Sequence, residues 1–218
     1  MKYFAFALFV VITSGLHVFA QDDSKSEDDY KKVEVFAGYS FGLADDKYDT
    51  GSSIASFFRD RSPRHGFNVS VVYNRNKYFG LKGDVSATYI RDNIRKTYRF
   101  DNTTAFATGR KKASLYNFLG GIQLKDNAST KRFRPFGHAM LGVGSQESST
   151  KNTNCFFVCD PDAPVFVSQS TGLAGAFGGG LDIRVNENLE VRAFQIDYNP
   201  MKMNRMKHNG RIGVGLVF

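Results

Sequence analysis

The chain has 218 residues, a formal net charge of +8, 21 glycines, 21 phenylalanines and no tryptophan. This length suits one folded domain. No apolar run after residue 20 is long enough for a membrane-spanning helix, which excludes a helical membrane protein. The many glycines and aromatic residues are typical of strands that curve and pack closely.

The first twenty residues have the pattern of an export signal. Lys2 is followed by the apolar run Tyr3–Ile12 and then by Val18-Phe19-Ala20, a small-x-small cleavage pattern. We predict a secretory signal peptide over residues 1–20. A membrane anchor is the weaker alternative, because the run is short for a span of about 20 residues.

Residues 21–32 follow as a charged segment with almost no apolar side chains, so we predict a disordered leader. Residues 33–218 then form the folded domain. Here apolar and polar side chains alternate with a period of two, which is the main signal of a β-strand. We predict eight strands, at Val33–Gly42, Arg64–Asn74, Lys77–Ile90, Ala113–Lys125, Phe133–Ser145, Thr171–Val185, Asn188–Asn199 and Asn209–Phe218.

The alternation is irregular in two of these strands. In the seventh, the polar parity changes between Arg192 and Gln195, so we predict a bulge near Phe194. In the fifth, the sequence leaves open which face points inward, on account of Phe136, His138 and Met140.

The connections between the strands alternate in length. Short turns are predicted at Arg75-Asn76, Asp126–Arg132 and Asn186-Glu187. Longer connections are predicted at Leu43–Pro63, Arg91–Lys112, Gln146–Ser170 and Pro200–His208. Short periplasmic turns and longer external loops are typical of outer-membrane barrels. We therefore predict an all-β fold, an eight-stranded antiparallel up-and-down transmembrane β-barrel with long external loops and short periplasmic turns.

A barrel in a bilayer has an apolar outer face, because only a closed sheet satisfies its backbone groups within lipid. Eight strands leave a lumen just wide enough for its own side chains. We expect the polar face to fill that lumen with ion pairs, although a polar translocation path is the alternative. The predicted lumen polar network comprises Glu34, Lys82, Asp84, Asp182, Arg184, Glu190 and Arg192.

The chain resembles the small eight-stranded outer-membrane β-barrel family of OmpA-like and OmpX-like proteins. The resemblance rests on the export signal and on Val33–Ser40, Arg134–Gly137, Gly178–Asp182, Gln195–Tyr198 and the terminal Phe218. It implies a monomer in the bacterial outer membrane, with a non-enzymatic structural, membrane-integrity or surface-interaction role. The implied partners are outer-membrane lipids, the barrel-assembly machinery and periplasmic chaperones. The last strand would carry the outer-membrane sorting signal, at Ile212, Val214, Leu216 and Phe218.

The sequence predicts no catalytic residue, metal site or cofactor. Barrel lipid A deacylases use a His-x-Ser pair, and no serine stands two residues after His65, His138 or His208. The sequence also has no Gly-x-Ser-x-Gly elbow and no cluster of zinc ligands. Two other functions remain open. One is a secreted, lipocalin-like carrier with an apolar interior, and the other is a lipid-modifying outer-membrane enzyme.

Two cysteines stand four residues apart, Cys155 and Cys159. In an exported chain this spacing favours a local disulfide, with two unpaired thiols as the alternative.

Basic residues concentrate in two of the predicted external connections. We define this basic rim as Arg91, Arg95, Lys96, Arg99, Arg110, Lys111, Lys112, Lys202, Arg205 and Lys207. One hypothesis is that it contacts the phosphates of lipopolysaccharide. The alternative is a solvated rim without a ligand. Nucleic acid is not an expected partner for an exported chain.

Overall fold

A computed structural model describes residues 30–45, 61–100, 103–155 and 166–218, with the side chains of residues 94–108 and 151–166 excepted. Eight antiparallel strands form one closed barrel in which each strand pairs with its neighbours in sequence and β8 pairs with β1. This confirms the predicted fold. Within the described ranges, no helix is long and apolar enough to cross a membrane. Residues 1–29 lie outside the description, so the signal peptide and the leader as far as residue 29 stay predictions. The last leader residue, Lys32, accepts the backbone N–H of Asn74 at 2.8 Å.

The strands are longer than the alternation predicted. They are β1 Val33–Ala44, β2 Ser62–Asn74, β3 Phe79–Phe100, β4 Thr103–Lys125, β5 Phe133–Cys155, β6 Phe166–Arg184, β7 Glu190–Lys202 and β8 Met206–Val217.

The bounds predicted for three external connections were wrong. Strands β3 and β4 stay paired as far as Phe100 and Thr103, through most of the predicted loop 91–112. Beyond the bilayer the outer face has no need to be apolar. The hydrophobic alternation therefore fades while the backbone pairing continues.

The other two connections follow the same rule. β5 continues to Cys155 and β6 begins at Phe166, within the predicted loop 146–170. The predicted connection 200–208 reduces to the turn Met203–Arg205 between β7 and β8. Strands β3 to β6 thus rise beyond the others as a four-stranded wall.

Both ends of the barrel domain lie at one end of the barrel, which we call the terminal end. There the backbone groups of Val35 and Phe218 exchange hydrogen bonds of 3.0 and 2.9 Å. Asparagines shape two turns at this end, because the side-chain oxygens of Asn76 and Asn186 accept backbone N–H bonds from the residues that follow. Such local bonds stabilise tight turns. We call the opposite end the far end.

The surface of the barrel is inverted relative to a soluble protein. Phe67 and Leu216 are 48% and 41% exposed on the outer face, while Lys82 and Asp182 are 3% and 0% exposed inside. A lipocalin-like carrier needs the opposite arrangement, so that alternative does not fit the structure.

Pairing register and burial settle the two irregular strands. The pairing of β7 with β8 shifts between Arg192 and Gln195, which confirms the bulge predicted near Phe194. The bulge lets residues of both parities in β7 point inward. In β5 the inward face is the one that carries Phe136, His138 and Met140, all of which are buried.

Candidate functional site

A cluster of buried charges fills the lumen near the terminal end. The ammonium nitrogen of Lys125, in the last position of β4, lies 3.0, 2.9 and 2.7 Å from carboxylate oxygens of Glu34, Asp182 and Glu190. Arg134 donates to Glu190, and Arg192 Nε lies 2.8 Å from Asp182. Three carboxylates thus face three cations, so the cluster is electrically balanced where an unpaired charge would be costly.

Above this cluster the guanidinium of Arg192 lies between two aromatic rings. Its central carbon is 4.3 Å from the ring centre of Phe36 and 4.1 Å from that of Phe136. Cation–π contacts of this kind gain strength when they are desolvated. They explain how the apolar Phe36 fits on the inward face, beside a charge that is itself buried.

A second charged cluster crosses the middle of the lumen. Arg211 bridges two carboxylates, at 2.8 Å from Asp84 and 2.6 Å from Asp197. His138 Nε2 lies 2.9 Å from Asp197, and its other ring nitrogen lies 3.3 Å from the ammonium of Lys82. The cluster links β3, β5, β7 and β8 through side chains alone.

Six of the seven residues predicted for the lumen network are buried and lie in these two clusters. The seventh, Arg184, has a side chain that is 28% exposed and lies 3.9 Å from Glu190 at the terminal end. Sequence reasoning missed several central members: Lys125, Arg134, His138, Asp197 and Arg211. The signal that identifies them is the alternation of inward and outward positions. It has to be followed to the ends of each strand and corrected for the bulge in β7.

Apolar side chains occupy the far half of the lumen on the side of β4 to β7. The buried members are Leu115, Leu119, Met140, Ala174, Ala176 and Met201, with Met203 packed against them. Together with the two charged clusters they leave the barrel filled by its own residues, as expected for eight strands.

Aromatic residues mark both edges of the apolar outer face. At the far end Tyr89 packs edge-on against Tyr116 with ring centres 5.9 Å apart, and at the terminal end Tyr78 and Phe218 are about half exposed. The ten residue-to-residue steps from His208 to Phe218 correspond to about 33 Å along a strand. At a tilt of about 40° this gives about 25 Å of height, which matches the apolar band of outer-membrane barrels.

The structure divides the basic rim into groups. Arg91 and Lys112 are directly opposite each other on the outer face of β3 and β4, just beyond the tyrosine pair, and Arg110 lies two residues further along. All three are exposed, whereas the adjacent Lys111 has inward parity and is half-buried. The side chains of the remaining β3 members lie outside the description, at Arg95, Lys96 and Arg99.

The rim residues of β7, of β8 and of the turn between them also point in different directions. Lys202 is exposed on the outer face. Arg205 instead lies 2.8 Å from the buried carboxylate of Asp45, and Lys207 donates to the side-chain oxygen of Gln146 across the barrel mouth.

The residues of the predicted sorting signal all point outward from β8. The exposed fractions of Ile212, Val214, Leu216 and Phe218 lie between 38% and 52%. Their recognition by the assembly machinery stays a prediction. So does the disulfide, because Cys159 and the side chain of Cys155 lie outside the description.

Comparison with solved structures gives similar barrels. Ail, the attachment invasion locus protein of Yersinia pestis, was solved in complex with the heparin analogue sucrose octasulfate. It aligns over 85% of this chain and 97% of its own, with 16% identity and a TM-score of 0.52. Neisserial surface protein A (NspA) aligns over 86% of this chain and 96% of its own, with 16% identity and a TM-score of 0.43. No family model and no curated protein sequence matches the chain.

At this identity the likeness to Ail bears on the fold alone. The closed eight-stranded barrel is shared with Ail, and the apolar outer wall around an ion-paired lumen is the surface that a lipid bilayer requires. The chain therefore has the fold of a small eight-stranded membrane β-barrel, with an outer wall suited to a lipid bilayer.

Proposed function

We propose that this barrel is a non-enzymatic outer-membrane protein that stabilises the membrane and presents an interaction surface at its far end, outside the cell. The observation that carries this proposal is the filled lumen. Paired charges and the apolar cluster occupy the space that a pore would need, so the outer wall and the external surface are left to carry the function. The wall formed by β3 to β6 gives that surface a rigid support, which is where binding residues are usually held.

The histidines support a non-enzymatic role. His65 and His208 each bond a tyrosine hydroxyl, of Tyr39 and Tyr198 respectively, on the outer wall. His138 contacts Asp197 inside the lumen. Each of the three histidines that the structure describes thus has a structural partner.

The first partner in this proposal is lipopolysaccharide. Arg91, Arg110 and Lys112 form an exposed outer basic face just beyond the aromatic edge, at the height of lipid headgroups. Like charges directly opposite each other on neighbouring strands repel, and an anion between Arg91 and Lys112 relieves that repulsion. Arginine forks and lysine ammonium groups both bind phosphate.

The test is the amount of lipopolysaccharide that co-purifies with the protein from outer membranes. Each basic side chain near a charged membrane surface contributes about 1 kcal/mol. The triple variant Arg91→Gln, Arg110→Gln, Lys112→Gln is therefore expected to retain about one-tenth or less of the lipid. Lys111→Gln is the matched control, because it removes a charge at the same height from the inward face. Unchanged lipid in the triple variant, or an equal loss with Lys111→Gln, would contradict the proposal.

A further inference from the structure

A polar cleft lies at the far end, in the mouth of the barrel. Its volume is about 260 Å³, and we call it the mouth cleft. The lining residues are Gln146, Ser148, Ser168, Ser170, Met203, Asn204, Arg205 and Lys207.

One side of the mouth cleft is built by the inward faces of β5 and β6, where they rise beyond β7. Gln146 is directly opposite Ser170, and Ser148 is directly opposite Ser168. Two rungs of the ladder thus present three hydroxyls and one amide to the same space. These groups both donate and accept hydrogen bonds, as the hydroxyls of a sugar do.

The other side is built by the turn between β7 and β8. Arg205 and Lys207 supply two cations, of which Lys207 also donates to the side-chain oxygen of Gln146. No carboxylate belongs to the described lining. The buried carboxylate of Asp45 lies behind Arg205, with its oxygen 2.8 Å from the guanidinium, and also accepts the backbone N–H of His208 at 3.1 Å. Asp45 therefore fixes the turn and orients Arg205.

One residue of the lining is apolar. Met203 belongs to the lining and also packs against the buried apolar cluster that contains Met140 and Met201. A solute that enters the cleft therefore meets the side chain of Met203 beside the polar groups.

We propose that the mouth cleft binds one sugar unit that carries a phosphate, sulfate or carboxylate group. The hydroxyl and amide rungs pair with the sugar hydroxyls, the two cations pair with the anionic group, and Met203 packs against the apolar face of the ring. The volume of the mouth cleft lies below the roughly 300–1,000 Å³ of sites for drug-sized ligands. The mouth cleft is therefore sized for a single sugar unit. The unit can come from a soluble acidic sugar or from the phosphorylated core of lipopolysaccharide.

The experiment titrates the full mature protein, refolded in phospholipid nanodiscs, with glucose 6-phosphate and with glucose. Saturable binding of glucose 6-phosphate, at least about tenfold tighter than that of glucose, is expected because a hydrogen bond to a charged group contributes about 1.5–3 kcal/mol. Lys207→Gln, and Arg205→Gln together with Lys207→Gln, should reduce the difference between the two sugars. The single variant leaves the Asp45 contact intact and so separates loss of binding from loss of the turn.

The matched control is Lys131→Gln with Arg132→Gln, which removes two exposed cations from the terminal end and should leave sugar binding unchanged. The proposal is overturned if glucose 6-phosphate does not bind at millimolar concentration, if glucose binds equally well, or if the control loses binding too. Nanodiscs that contain lipopolysaccharide with a phosphorylated core identify the source. Displacement of glucose 6-phosphate indicates the membrane lipid, and unchanged binding indicates a soluble sugar.

This inference rests on the proposed function only for the side of the membrane that the mouth cleft faces. Sugar binding by the purified protein can fail while the outer basic face still retains lipopolysaccharide, so the two proposals fail separately.

Discussion

Lys125 illustrates how a charge is kept inside this barrel. Its side chain has no exposed surface, yet three carboxylates lie within 3.0 Å of its ammonium nitrogen. Removing one member of a buried charged group leaves its partners unpaired in a medium that solvates them poorly. The same reasoning applies to Arg211, which bridges Asp84 and Asp197 in the second cluster.

At the residue scale we predict that Lys125→Met destabilises the folded barrel by about 3–5 kcal/mol. Methionine has a similar length but leaves three carboxylates without their shared cation. Lys112→Met on the outer face of the same strand is the control, and its effect should stay below about 1 kcal/mol. Urea unfolding of the refolded proteins in detergent micelles measures both values, and equal stability of the two variants would show that the cluster is not electrostatically coupled.

At the scale of the elements, glycines set how closely the strands approach. A Cβ atom at Gly178 of β6 would lie 2.1 Å from the carbonyl oxygen of Ile196 in β7, which is far inside van der Waals contact. The neighbouring Gly179 and Gly180 face similar backbone contacts at 2.4 and 2.2 Å. The Gly-Gly-Gly run therefore serves close packing of β6 between β5 and β7.

We predict that Gly178→Ala destabilises the barrel by roughly 1–3 kcal/mol, because β6 and β7 must separate to admit the methyl group. Gly137 in the neighbouring strand β5 provides the matched control, since a Cβ there meets its first atom at 3.8 Å. The two variants are compared on SDS gels run without heating, on which the folded barrel migrates as a faster band. The intensity of this band measures the folded fraction. Full retention of that band by Gly178→Ala in rising urea would refute the packing argument.

The sequence predicts the elements well where the membrane imposes alternation. In β8 the outward set from Ile212 to Phe218 follows from parity alone, and the bulge near Phe194 follows from a change in parity. Parity carries no signal where the outer face meets water, so the outer parts of β3 and β4 were predicted as a loop. The different directions of Arg91 and Arg205 depend on register and on the turn between β7 and β8, and composition does not encode either.

At the scale of the whole molecule, the fold depends on one inversion: apolar side chains face outward and charged side chains face inward. The exposed Phe118 and the buried Phe36 represent the two faces. A closed sheet satisfies its backbone groups, the apolar face meets acyl chains, and ion pairs allow charges to remain inside. Membrane insertion, the filled lumen and the external surface all follow from this arrangement.

The absence of tryptophan from the chain allows the most direct test of this inversion. Phe118→Trp and Phe36→Trp, each refolded into bilayers with brominated acyl chains, place one fluorophore on the outer face and one in the lumen. Bromine should quench the Phe118→Trp emission strongly and the Phe36→Trp emission little. Strong quenching of Phe36→Trp together with a water-exposed Phe118→Trp would contradict the account.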